Sequence, residues 1–270
     1  MRFRRTAILF AAIVALSSAP SVVGAAGDLG KLLDQLASDP VEKATLFALE
    51  RQPDDGRVIP ALHSAFSRAK SKNEKQWIAS TLLRLGDSTR EYSDFLIGAA
   101  KEAIEDQTPT FIDYDQDGHS VKGRFSAKFE AWCQANGKDP RSVGALQFGT
   151  YPEDVLVLAR AQDPRARETL RQGLQSPNPL VVGYAVQGLG RLGDTSAISL
   201  ISKTAEALPP DARSAISMNL PWYSSLDATL LMERLTPDIS ARTFMVRMVQ
   251  AEQLLDRQSA LSRRSDGPKQ

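Results

Sequence analysis

The sequence predicts an all-α solenoid of stacked helical hairpins, with a small insertion that contains a β-hairpin. A short motif recurs about every thirty residues, and the apolar residues around each copy repeat with the period of an α-helix. The spacing breaks once, between Asp87 and Asp163, where a strand-like segment intervenes. Apolar residues make up 42% of the 270-residue chain, which is enough to fill a core and excludes wholesale disorder.

The recurring motif ends in an aspartate. Residues 158–163 (Leu-Ala-Arg-Ala-Gln-Asp) align with residues 189–194 (Leu-Gly-Arg-Leu-Gly-Asp) at an offset of 31 residues, and residues 84–87 repeat the ending Arg-Leu-Gly-Asp. The left-handed conformation of Gly86 or Gly193 would end one helix, and the following aspartate could accept hydrogen bonds from the first amides of the next. Each unit is therefore predicted to be two antiparallel helices, which must stack because one pair cannot cover its own apolar face.

With the alanine three residues after Asp194 and the apolar residues beyond it, this motif resembles the short HEAT-like repeat that is also found in phycobilisome lyases. The resemblance covers about residues 40–104 and 150–235. HEAT-like arrays mostly bind other macromolecules, so the resemblance implies protein partners and a non-catalytic scaffold or adaptor. Residues 52–54 and 222–225 depart from the motif, as expected for the terminal repeats of a capped array.

Six segments follow from these patterns. They are a signal peptide (1–25), N-terminal HEAT-like units (26–104), an insertion with a β-hairpin and a helix (105–148), C-terminal HEAT-like repeats (149–236), a capping helix (237–262) and a disordered tail (263–270). The turn pair Asp117 and Gly118 predicts the hairpin, and Gly137 ends the predicted helix over 126–136. In the capping helix the residues in register are Ala241, Met245, Met248, Glu252 and Leu255.

The first segment has the pattern of a secretory signal. A basic start with Arg2, Arg4 and Arg5 precedes the apolar run Ala7–Leu16. Val23 and Ala25 occupy the −3 and −1 positions for cleavage after Ala25. The run is shorter than the ~20 residues of a bilayer span, and no longer apolar run follows, so we expect export to the periplasm or the medium without a stable span. Because 33 basic residues balance 32 acidic ones, the sequence argues against a dedicated nucleic-acid binder, and no nucleic-acid partner is predicted.

The insertion holds the one metal-like motif of the sequence. Asp113, Asp115 and Asp117 alternate before a glycine, as in the first half of an EF-hand calcium loop, but the twelfth position is Arg124 instead of a bidentate acid. Either another part of the fold supplies the missing Ca²⁺ ligands, giving a calcium-stabilised binding module, or the aspartates form a solvated turn. No other cofactor is predicted, since one cysteine excludes a four-cysteine zinc site.

An enzyme is the alternative from a different class. His119 could act as a base oriented by Asp115 or Asp117, giving a hydrolase or another enzyme with its site where the insertion joins the array. His63 is interpreted as a structural histidine. Cys133 is interpreted as a buried unpaired cysteine, and the alternatives are a reactive thiol or a bridge to another chain. The favoured interpretation remains non-catalytic.

Arginines form a further pattern. Arg51, Arg84, Arg160 and Arg191 occupy equivalent positions near helix C-termini, where the helix dipole stabilises a cation by ~0.3–1 kcal/mol. The alternative is that this column binds acidic segments of a partner, or anionic glycans, through bidentate pairs with carboxylates. The residues predicted to contact a partner are Arg165, Arg167 and Arg171 together with Trp222 and Tyr223.

Overall fold

The computed structural model describes residues 29–52, 55–105, 112–114, 120–122, 127–137, 139, 152–176, 178–208 and 213–265. The predicted signal peptide lies outside these residues. The chain divides into two units, one containing residues 108–151 and the other containing residues 26–107 with 152–270. The segment boundaries given above stay a prediction.

The larger unit is helical. Its helices before the insertion are α1 (Leu29–Gln35), α2 (Lys43–Leu49), α3 (Val58–Arg68), α4 (Lys72–Arg84) and α5 (Arg90–Glu105). Those after it are α7 (Glu153–Ala161), α8 (Arg167–Gly173), α9 (Pro179–Arg191), α10 (Ile198–Ala207), α11 (Ser214–Ser217), α12 (Leu226–Leu235) and α13 (Ile239–Ser265). Short 3₁₀ turns at Pro164–Ala166 and Thr195–Ala197 lead into α8 and α10, and a third at Leu220–Trp222 follows α11.

The helices begin and end where local chemistry favours it. Ser71 accepts a hydrogen bond from the backbone N–H of Glu74 and starts α4, while Asn178 caps α9 in front of a proline at the first helical position. Gly86 and Gly193 have φ angles of +91° and +66°, which confirms the predicted left-handed helix ends. Gln162 takes this role in the third pair, with φ 57°, although it is not a glycine.

Successive pairs stack in two layers. The first helices pack in the order α2, α4, α7, α9 and α11, and among the second helices α5 packs on α8 and α10 on α12. This arrangement confirms the predicted stack of helical pairs in the larger unit. Because α4 and α5 both pack directly on α7, the stack continues across the residues between 106 and 151 that separate them in sequence.

Leucines of the repeated motif lie in the core of this stack. Leu158, Leu189 and Leu220 are each at most 1% exposed. They lie on α7, α9 and the turn after α11, which pack against one another in that order. At Gly188 the helices approach closely, since an added Cβ would lie 2.8 Å from a methyl of Leu170 and 2.9 Å from the Cα of Ala159.

The smaller unit contains strands β1 (Ile112–Tyr114) and β2 (Ser120–Lys122) and helix α6 (Ala127–Ala135). The strands pair antiparallel, with Asp113 opposite Val121, and α6 packs on β1. Gly137, with φ +61°, follows α6. Cys133 on α6 is 1% exposed, as expected for a packed cysteine.

The C-terminal helix differs from the prediction in length and in the face that it buries. Helix α13 runs to Ser265, three residues into the predicted disordered tail. Met245 and Val249 are buried, whereas Leu255, predicted to be in register with Met245, is 40% exposed. A search of the described residues finds no helix with both the length and the apolar character that crossing a bilayer requires.

Candidate functional site

The aspartates of the repeated motif tie neighbouring helical pairs together. His63 on α3 lies 2.5 Å from Asp87 in the next pair, measured from Nε2 to Oδ2. Arg171 on α8 likewise donates to both carboxylate oxygens of Asp194 in the next pair, at 2.9 and 3.0 Å. Each bond runs from a second helix to the loop aspartate of the following pair, so these side chains hold the stack in register.

Only some of these aspartates cap a helix as predicted. Asp163 does so, accepting at 2.9 Å from the N–H of Arg165 in the 3₁₀ turn that leads into α8, whereas Asp87 accepts at 2.9 Å from the N–H of Thr89, which lies before α5 begins at Arg90. The prediction was wrong for Asp194, which makes no such cap. Its carboxylate instead accepts hydrogen bonds from Arg171 and from the hydroxyl of Ser196.

The predicted partner-binding arginines keep exposed surface but have intramolecular partners. Arg165 donates to Asp163 through Nε and Nη2, and Arg171 binds Asp194. Arg167 is the least engaged, with its Nε 3.8 Å from Asp194 and its side chain 48% exposed. Burial alone would raise the pKa of Asp194, but hydrogen bonds from Arg171 and Ser196 and the charges of Arg171 and Arg167 lower it overall.

Trp222 and Tyr223 lie inside the fold. Each is 6% exposed, and the guanidinium carbon of Arg191 lies 3.8 Å from the centroid of the Trp222 ring. Burial, with a smaller contribution from the nearby Asp194 charge, raises the pKa of Tyr223. These aromatics therefore close the last layer of the core and give the buried face on which Arg191 stacks. That they contact a partner stays a prediction.

Three arginines of the repeated column form one buried group, which we call the arginine ladder: Arg84, Arg160 and Arg191. Their side chains are 12%, 13% and 2% exposed. They come from the C-terminal turns of α4, α7 and α9, which stack on one another. Arg51, the fourth member of the column, is exposed.

Glu50, in the N-terminal part of the stack, provides one of the carboxylates that bind the ladder. Its carboxylate accepts from Thr81 Oγ1 at 2.9 Å, from Arg84 Nε at 2.9 Å and from Arg160 Nη2 at 2.6 Å. Burial raises the pKa of Glu50, but the charges of Arg160 and Arg84 outweigh it and the pKa is lowered. Glu50 is therefore ionised at neutral pH.

The other carboxylates at the ladder come from the C-terminal helix. Asp256 accepts from Arg84 Nη2 at 2.5 Å and from Arg191 Nη1 at 3.1 Å. Glu252, one turn earlier on α13, accepts from Arg191 Nη2 at 2.7 Å. Three guanidinium groups thus face three carboxylates, two of which belong to α13.

A second polar cluster joins the two halves of the stack. Glu153, the first residue of α7, pairs with Lys43 and accepts from Asn73 Nδ2 at 2.5 Å and Trp77 Nε1 at 2.8 Å. Burial raises the pKa of Glu153, whereas hydrogen bonds from Lys43 and Trp77 lower it, and the net shift is downward. Helices α2, α4 and α7 are tied together by this single carboxylate.

The residues proposed for metal binding and catalysis fall largely outside the described residues. Asp115, Asp117 and His119 lie there, and Asp113 is placed only as a residue of β1. Within the described ranges, no three histidine, cysteine or acidic side chains are grouped so that they could hold a metal ion. His63 is bonded to Asp87, as expected for a structural histidine.

Sequence reasoning placed Glu252 in register on the capping helix but did not identify Glu50, Glu252 or Asp256 as partners of the ladder arginines. Glu50 precedes Arg51 by one residue, so an offset of 34 residues instead of 33 would have placed it in the column with Arg84. Glu252 and Asp256 are four residues apart on α13 and follow Met245 and Val249 on one helical face. A helical face with two apolar residues followed by two acids was the sequence pattern from which these two acids could have been identified.

The fold and these contacts define a repeat protein whose polar side chains link stacked helical pairs. A family model described as HEAT repeats matches residues 155–220. This match confirms the HEAT-like repeats that the sequence motif predicted in this region. Comparison with curated proteins and with solved structures gives no match.

Proposed function

We propose that this protein is exported and acts as a non-catalytic scaffold that binds other proteins. HEAT repeats generally mediate protein–protein interaction, and the match to residues 155–220 supports that role. The signal pattern at residues 1–25 supports export to the periplasm or the medium. N-terminal sequencing of the exported form is expected to begin at Ala26, and a chain that retains Met1 would contradict export by cleavage.

The observation that carries the proposal is an apolar face at the end of the stack. Leu226 and Leu230, one turn apart on α12, are 73% and 54% exposed. The outer face of a terminal repeat is normally polar, because it must be soluble in water. Exposed leucines on the last helical pair therefore support a contact with another protein.

Capture from envelope extract tests this surface. Tagged protein and the variant Leu226→Asn/Leu230→Asn are compared after chemical cross-linking, with Asp227→Asn on the same helix as the control. The scaffold role predicts a protein retained by the unaltered chain and the control and lost from the leucine variant. Equal retention by all three would contradict this surface.

We propose that the exposed arginines Arg165, Arg167 and Arg171 form a second contact surface for protein partners. Arg167 gives the cleanest test because it has the weakest intramolecular contact. Arg167→Glu is expected to reduce partner retention, whereas Arg90→Glu, at a side chain 82% exposed on α5, is expected to leave it unchanged. Equal retention by the two variants would contradict this surface.

We also propose that residues 105–148, with the β1–β2 hairpin, form an insertion in the array and that no resident cofactor is required. Calcium binding by Asp113, Asp115 and Asp117 stays a prediction. It is tested by the melting temperature of the protein in Ca²⁺ and in chelator. An increase with Ca²⁺ that is lost in Asp115→Asn/Asp117→Asn would establish the calcium-stabilised module.

A further inference from the structure

Neutralisation of the arginine ladder depends on α13. Without Glu252 and Asp256, the three guanidinium groups of the ladder would face the single carboxylate of Glu50. Two ladder donors, Arg160 Nη1 and Arg191 Nε, are buried and have no hydrogen-bond partner within the described part of the chain. The ladder is therefore a preformed anion-binding site in which some hydrogen-bond donors remain unused.

Helix α13 covers this site but buries little of its own apolar surface. Met245 and Val249 are buried, yet Phe244, Leu254 and Leu255 are 43%, 56% and 40% exposed. Helical segments with few buried apolar contacts open at low free energy compared with the core of a fold. By contrast, the ladder arginines belong to α4, α7 and α9, which are packed on neighbours in the stack.

We propose that α13 occupies, within its own chain, a binding site for an acidic amphipathic helix of a partner protein, and that such a helix displaces it. This inference rests on the scaffold role proposed above and names the partner's chemistry. The ladder and the surface that Met245 and Val249 cover form the docking surface, and α13 is its intramolecular competitor.

The contacts of α13 define what the partner helix must carry. Its contact face reads, from the N-terminus, Met245, Val249, Glu252 and Asp256. A competing helix therefore needs two apolar residues followed by two acids at the same spacings of four, three and four residues. The ladder favours a helix that carries carboxylates, because Arg191 is stacked on Trp222 and so presents its guanidinium in a fixed plane.

A peptide with the sequence of residues 241–258, labelled with a fluorophore, is a suitable probe. Its binding is measured by fluorescence anisotropy to the full mature chain and to the variant Glu252→Gln/Asp256→Asn, in which α13 loses both of the carboxylates that contact the ladder. Glu233→Gln, at an exposed acid on α12, is the matched control. A second peptide carries glutamine and asparagine in place of the two acids.

The variant is expected to bind the probe about tenfold more tightly than the unaltered chain or the control, because the apparent Kd rises as the open fraction falls. The second peptide should bind at least about tenfold more weakly than the probe, and high salt should weaken probe binding. Equal affinity of the variant and the unaltered chain, or equal affinity of the two peptides, would overturn the proposal. Because no cellular partner is used, failure here leaves the capture result on the scaffold role intact.

Hydrogen exchange on the unaltered chain is a second test of the proposal, and it does not require the variant to fold. Saturating probe is expected to speed amide exchange in α13, at residues 244–256, and to leave α9 unchanged. Unchanged exchange in α13 at a probe concentration that gives full binding would show that the probe binds elsewhere, which would also overturn the proposal.

Discussion

Replacing Glu50 with glutamine tests how much the buried charges hold the stack together. Glu50→Gln keeps the size of the side chain but removes the carboxylate that Arg84 and Arg160 share. The Glu50 side chain is 6% exposed and makes three hydrogen bonds. Because the site is buried, its partners cannot form replacement hydrogen bonds with water when the charge is lost. Removing one partner of a buried ion pair costs ~3–5 kcal/mol, and we expect the lower end because glutamine keeps one acceptor.

A loss of about 3 kcal/mol in the free energy of unfolding should lower the melting temperature by ~6–12 °C for a chain of this size. Far-ultraviolet circular dichroism during heating, and urea unfolding at 25 °C, both measure it. Glu42→Gln is the matched control, because Glu42 precedes α2, is exposed and makes no capping hydrogen bond. We expect the control to stay within ~0.5 kcal/mol of the unaltered chain.

The ladder also predicts that this effect is coupled to the C-terminal helix. Glu50 and Asp256 both bind Arg84, so the costs of Glu50→Gln and Asp256→Asn should depart from additivity by ~0.5–3 kcal/mol. If Glu50→Gln changes the free energy of unfolding no more than Glu42→Gln does, the buried carboxylate does not stabilise the stack through Arg84 and Arg160.

Three further predictions concern packing and pH. Gly188→Ala should destabilise the protein by ~1–3 kcal/mol, because its Cβ would meet the neighbouring helix. Gly98→Ala, with open space around the Cβ, should be neutral or stabilising. Equal urea midpoints for the two variants would contradict the close packing at Gly188. Leu189→Ala should cost ~2–5 kcal/mol in the same assay, and a cost under 1 kcal/mol would contradict its place in the core. Glu50 and Glu153 have folded-state pKa values below the ordinary ~4.3, so the stability that they contribute is complete above that pH and is lost as the pH falls through the lower folded values. Urea midpoints should therefore fall between pH 5 and pH 3, and a constant or rising midpoint would contradict the sign.

The repeat architecture could be predicted because it is local. The glycine and aspartate at each helix boundary, and apolar residues at helical spacing, specify a helical pair within about thirty residues of sequence. That is why Gly86 and Gly193 adopt the predicted left-handed conformation. Gln162 aligns with Gly193 at the offset of 31 residues and takes the same left-handed conformation, although a non-glycine in that conformation is uncommon and must be held by its surroundings.

The polar network could not be predicted, because its members are far apart in sequence. Glu50 and Arg160 are 110 residues apart, and Arg84 and Asp256 are 172 apart. A single sequence shows that a column of arginines exists, but whether helix dipoles, a partner or the chain itself satisfies them depends on where α13 returns. The structure places carboxylates of the same chain there.

The contacts of Glu50 and Arg84 with Arg160 require the stack to continue from α4 to α7, across residues 106–151 of the sequence. A carbodiimide joins only carboxylates and amines in contact, and mass spectrometry then identifies the joined residues. Because Lys72 Nζ lies 3.5 Å from Asp154 Oδ2 and Lys43 pairs with Glu153, both cross-links are expected in the unaltered protein. Lys72 with Glu102, at 2.7 Å within one half of the stack, serves as the positive control. Reaction of the control pair without any link from residues 153–154 to Lys43 or Lys72 would show that α7 does not stack on α4.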